Sequence, residues 1–135
     1  MSGGDTYPIS GNTTSRPTLS LISSILANNT NSDLSTNTAI MPSFTVEATT
    51  SLVEKFCSPS CAITFAGAGN LLNVDPLLAP LAANGGPSRT HALLPGSPAI
   101  NAGSNPLGLA TDQRGLGFPR VSGAAADMGA YERTP

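Results

Sequence analysis

The sequence predicts an all-β chain, and within that class a parallel solenoid fits better than a sandwich. Three observations lead there. Short apolar stretches recur between polar turns, with no intervening segment of ordinary helix length. Helix signals are weak, because 14 glycines and 12 prolines punctuate the 135 residues and the many Ser, Thr and Asn side chains compete with helical backbone bonding. A sandwich would carry more aromatic residues and prominent Asn-Gly hairpin signals; aromatics here are 4% and tryptophan is absent.

Element by element, Thr18-Leu19-Ser20-Leu21-Ile22 and Ser24-Ile25-Leu26 read as strands ended by the turn signal Asn28-Asn29-Thr30-Asn31. Phe44-Thr45-Val46 and Ala62-Ile63-Thr64-Phe65 alternate in the same way. Thr49 to Phe56 is the best helical candidate, about two turns long. Asn70-Leu71-Leu72 and Val74 precede Asp75-Pro76, where the proline forces an extended predecessor and a strand end. The run from Ser20 to Thr30 has the texture of one solenoid coil, with apolar residues inward, small serines in a tight interior and Asn at a corner. Asn tolerates the left-handed backbone a sharp corner needs.

Composition narrows the function classes. One domain's worth of chain is present, only 10% of residues are charged against about 25% in ordinary globular proteins, and the formal net charge is −2. A coiled coil, a long helical bundle and a disordered acidic chain do not fit these values, and neither does a nucleic-acid binder that neutralises phosphates. No stretch approaches the roughly 18 apolar residues of a membrane span. Residues Met1 to Asp5 carry neither a basic leader nor an apolar core, so no secretory signal is visible. Cys57 and Cys61, in C-S-P-S-C, are compatible with a tight disulfide loop in an oxidising compartment, the reading we favour, or with two reduced thiols. A zinc site would need two more ligands, and His91 is the only histidine.

The second half carries a set of motifs in a definite order: D-P-L-L at 75–78, N-G-G-P at 84–87, H-A-L-L-P-G-S-P-A-I at 91–100, T-D-Q-R-G at 111–115 and D-M-G-A-Y-E at 127–132. This order resembles the C-terminal part of bacterial right-handed parallel β-helix surface proteins, of the choice-of-anchor Q type. Ser24 to Thr30 is similar to the repeating coil of that family. The resemblance covers residues 70–132 strongly and 17–31 weakly. It implies a short right-handed parallel β-helix, with coils over 17–83 and a C-terminal cap over 84–133, in one domain spanning 1–135. It also implies an extracellular or cell-surface location and a structural or adhesive role, with no catalytic set to carry over. The chain departs from the family in lacking a long upstream array of coils and a visible export signal. Leu34 stands where relatives often carry a first Cys, which favours local Cys57–Cys61 pairing.

Candidate site residues each have a structural and a chemical reading. Asp75-Pro76 and Asn84-Gly85-Gly86-Pro87 are turn chemistry first. Gly67-Ala68-Gly69 and Gly115-Leu116-Gly117 lack the third glycine of a nucleotide loop, and Gly96-Ser97-Pro98 is no nucleophile elbow. His91 is either a hydrogen-bonded structural residue or a general acid or base, with Asp75 or Asp112 as orienting carboxylate and Arg114 nearby in sequence. Asp112, Asp127 and Glu132 form either an Asp–Arg network that satisfies buried backbone or a carboxylate cluster for Ca²⁺ or glycan hydrolysis. The alternative function is thus a small hydrolase acting on a glycan, ester or lactone, with a glycan or small molecule as ligand. No other cofactor is expected. An open first coil predicts a homodimer or higher oligomer through residues 15–45.

Overall fold

The computed structural model describes residues 18–35, 44–56 and 63–134. Its regular structure is entirely β: β1 Thr18–Ile22, β2 Ile25–Leu26, β3 Phe44–Thr49, β4 Leu52–Val53, β5 Ile63–Ala66 and β6 Leu71–Leu72. The chain makes three passes, each laying one strand in a first sheet ordered β1-β3-β5 and one in a second sheet ordered β2-β4-β6. All four strand pairings are parallel. Equivalent positions lie 27 residues apart between the first and second passes, as in Ser24 and Ser51. They lie 19 apart between the second and third, as in Ser51 and Asn70.

A sharp corner joins the two strands of each pass, and the backbone there is left-handed at Ser23 (φ 47°), Thr50 (φ 47°) and Gly69 (φ 74°). Glycine adopts this freely, whereas a β-branched threonine does so only when its surroundings over-determine it. At Thr50 two bonds do this: its N–H donates to Ala68 O at 3.0 Å, and its hydroxyl lies 2.7 Å from Ser104 Oγ. The residue after each corner links one pass to the next. Ser24 N–H donates to Ser51 Oγ (3.1 Å) and Ser51 N–H to Asn70 Oδ1 (3.0 Å), while Asn70 Nδ2 returns to Ala48 O (2.7 Å). Asn28 (φ 64°) and Asn73 (φ 58°) also turn left-handed, beyond β2 and β6.

These corners overturn the helical expectation for Thr49 to Phe56. That stretch holds the end of β3, the Thr50 corner and β4, and Phe56 bridges in parallel to Leu34. Its spacing of apolar residues is helix-like, but inter-pass bonds capture its backbone: Leu52 N to Ser24 O at 2.8 Å and Glu54 N to Leu26 O at 2.9 Å.

The middle pass is the most deeply buried, with Val46, Leu52 and Val53 all at 0% exposure. Successive strand residues face opposite ways, so the column Ile25–Leu52–Leu71 lies on one face of the second sheet. The C-terminal segment covers that column: Leu52, Leu93, Ala99 and Met128 form the buried cluster, with Ile25, Leu71, Leu78 and Tyr131 packed on it. Residues 73–134 contain no regular strand and are held by isolated antiparallel bridges at Leu78–Leu93, Ala82–Thr90 and Thr111–Pro119. They run beside the sheet from the third pass back to the first, where Gly129 N–H donates to Ser23 O at 2.7 Å. Cys57 and Cys61 lie outside the described residues. No helix among the described residues is long and apolar enough to cross a membrane.

Candidate functional site

Two places collect the chemistry-bearing side chains: a buried charge network in the C-terminal segment and an open cleft beside His91. The network starts from the turn at T-D-Q-R-G. Asp112 Oδ1 accepts the Arg114 N–H at 2.8 Å, and Gly115 N–H bonds Asp112 O at 3.1 Å, so the Arg114 side chain folds back over its own turn. Its Nε and Nη2 grip Asp112 Oδ2 at 3.0 and 2.7 Å. The guanidinium plane is sandwiched between two rings, 4.0 Å from the Phe118 centroid and 3.9 Å from that of Tyr131, a stack that adds cation–π attraction to the ion pair.

A second pair, equally buried, joins Arg120 to Glu132. Arg120 Nη1 donates to Glu132 Oε2 at 3.1 Å, and Nη2 donates to Asp127 O at 2.9 Å and to Ser23 Oγ at 3.1 Å. The D-M-G-A-Y-E motif supplies both carboxylates. Asp127 caps backbone N–H groups of Asn101 and Arg133, each at 2.7 Å. Glu132 takes those of Ser122 and Asp127, each at 2.8 Å. Asp112, Arg114, Arg120, Asp127 and Glu132 are all buried. Buried charge persists only where it is paired and hydrogen-bonded. Three carboxylates against two guanidinium groups leave one negative charge, which the backbone donors around Asp127 offset. Burial opposes ionisation of Asp112, but bonds from the Arg114 side chain and from the backbone of Glu132 and Arg114, with the Arg114 charge, outweigh it and hold the carboxyl below its ordinary 3.8.

N-G-G-P belongs to the same construction. Gly85 and Gly86 have φ of +92° and +76°, and a Cβ on Gly86 would overlap the backbone of Arg114 while one on Gly85 would strike the Phe118 ring. Asn84 Nδ2 donates to Thr90 O at 2.8 Å. Asp75 lies apart, its Oδ1 accepting Leu77 N–H at 2.7 Å in a side-chain-capped turn.

His91 is exposed, and its Nδ1 lies 2.7 Å from Ala79 O. A carbonyl can only accept, so Nδ1 carries the hydrogen and Nε2 is the nitrogen left for a ligand. Its orienting group is therefore a backbone carbonyl; neither Asp75 nor Asp112 bonds it. The ring borders a cleft of about 550 Å³ between β2 and the C-terminal segment, walled by Ile25, Leu78, Leu81 and Tyr131, with Arg89 and Gln113 also lining it.

The structure thus brings Asp112, Arg114, Asp127 and Glu132 together and leaves His91 and Asp75 outside that group. It adds Arg120, Phe118 and Tyr131, which sequence reasoning did not select. The one available signal was arithmetic: in a chain with so few charges, four bases share the second half with four acids. All six oxygens of the Asp112, Asp127 and Glu132 carboxylates already accept N–H donors. A calcium ion, which takes six to eight oxygen ligands, would have to displace those donors. No group of three or more His, Cys, Asp or Glu side chains placed to hold a metal occurs among the described residues. Comparison of the chain with protein-family models, with curated proteins and with solved structures gives no match.

Proposed function

We propose that the chain is a short right-handed parallel β-helix serving as a structural or adhesive module of a bacterial surface protein of the choice-of-anchor Q type, and hence extracellular. Three passes with constant parallel register in two sheets support the architecture, and parallel crossovers are right-handed in nearly all known cases. One observation carries the functional reading. Asp112, Arg114, Arg120, Asp127 and Glu132 are engaged with one another and with buried backbone, which is the work of a scaffold.

The second reading, a hydrolase acting on a glycan, ester or lactone, draws on the open cleft at His91. A broad hydrolase panel on purified protein, with and without chelator, separates the two. The structural reading expects no turnover. Activity that survives repurification and is lost in His91→Ala, with the urea unfolding midpoint unchanged, would replace it.

Self-association through the first pass belongs to the same proposal. Leu19, Leu21, Ile25 and Leu26 are half-buried, whereas their in-register partners Val46, Ala48, Leu52 and Val53 are buried. Apolar surface and a strand edge of this kind favour a homodimer through residues 15–45. Light scattering at micromolar concentration tests it, and a monomer mass would refute it.

A further inference from the structure

Beyond a scaffolding role, we propose that the cleft beside His91 binds a small organic carboxylate with an apolar body. The charge of the cleft points to an anion. Arg89 and His91 flank Thr90, which is buried and paired through both its N–H and C=O to Ala82. Arg89 and His91, on either side of it, are both exposed, and all three residues line the cleft. Among the described residues no carboxylate lies within ion-pair distance of Arg89. The cleft lining contains no Asp or Glu, although the protein as a whole is net negative. An arginine at a concave wall, with no acidic partner among the described residues, is a ready fork for a carboxylate, which it can bind through two parallel N–H donors.

The apolar part of the lining sets the rest of the ligand. Ile25, Leu78 and Leu81 present apolar surface, with Leu81 52% exposed. Tyr131, one face of which is taken by Arg114, completes that part of the lining. At about 550 Å³ the cleft falls in the usual range for small-molecule sites, and it combines apolar walls with a few convergent polar groups. A ring or branched chain against the leucines would leave its carboxylate at Arg89, with His91 Nε2 beside it. A free phosphate would use the charge and waste the apolar wall; a neutral sugar or amide would leave Arg89 without its anion.

The test is a titration of the full ¹⁵N-labelled chain, followed by amide shifts, with benzoate, its neutral isostere benzamide, and inorganic phosphate. Benzoate is expected to shift residues 24–28, 89–91, 113 and 130–131 and to saturate in the millimolar range, on the order of a ligand with so few atoms. Benzamide and phosphate should bind at least about tenfold more weakly, and Arg89→Gln should weaken benzoate by about tenfold while leaving the rest of the spectrum in place. Arg89 is exposed, so this variant folds. Four results would each overturn the proposal: no saturation by benzoate at about 50 mM, equal binding of benzamide, equal binding of phosphate, or an unchanged benzoate affinity in Arg89→Gln.

Discussion

Replacing Arg120 by methionine keeps most of the side-chain volume and removes the buried cation that joins the C-terminal motif to the first pass. Three bonds go with it: to Glu132 Oε2 (3.1 Å), Asp127 O (2.9 Å) and Ser23 Oγ (3.1 Å). Glu132, only 1% exposed, is left with a charge faced by backbone N–H groups alone. Breaking a buried pair from one side costs about 3–5 kcal/mol, a large part of the roughly 5–15 kcal/mol that stabilises a domain. With a urea slope of about 2 kcal/mol per molar, the unfolding midpoint should fall by about 2 M. Glu132→Gln in the Arg120→Met background removes the stranded charge. The double variant should therefore lose less than the sum of the single losses, by about 1–3 kcal/mol. If Arg120→Met does not fold at all, the double variant should recover a cooperative transition. A loss below about 1 kcal/mol, or strict additivity of the pair, would refute the claim that this ion pair anchors the segment.

Three further outcomes are expected. Asp112 has a folded-state pKa below its ordinary value, so its stabilisation is complete above 3.8 and is lost as pH falls from there through the folded value. Urea midpoints at about pH 5 and about pH 2.5 should show this loss, and Asp112→Asn should shrink the difference between them. Leu52→Ala, at the centre of the buried cluster, should cost about 2–5 kcal/mol by the same assay, whereas Leu116→Ala, at a residue 97% exposed, should stay within about 0.5 kcal/mol. Gly86→Ala forces a side chain into a left-handed position against the Arg114 backbone and should cost at least about 1–3 kcal/mol in thermal or urea unfolding.

The strands were legible where the pattern is local. Thr18 to Ile22 alternates in sequence and in burial alike, so β1 coincides with the reading from sequence. Thr49 to Phe56 misled because Leu52, Val53 and Phe56 have helix-like spacing. What decides their conformation is a left-handed Thr50 held by Ala68 and Ser104, residues 18 and 54 positions away. The Asp112–Arg114 contact spans two positions and could be anticipated; Arg120 meets Glu132 twelve residues on and Ser23 at a separation of 97. The partner of His91 is the carbonyl of Ala79, a group every residue carries, so no side-chain pattern announces it.

Ser23 is where the two ends of the described chain meet. Its hydroxyl bonds Asp127 O across 104 residues, Arg120 across 97 and the Ser104 N–H across 81. During synthesis the first pass emerges long before any of these partners exists. Until the ribosome has released residues 93–128, the column Ile25–Leu52–Leu71 lacks the full cluster that covers it. Folding from one end to the other, pass by pass, would leave an apolar strip open to neighbouring chains. Closure over so long a separation is also slow, because the loop entropy precedes the contacts that repay it. These passes should therefore acquire their native state late and in a single cooperative step, which makes residues 93–134 the rate-setting part of their assembly.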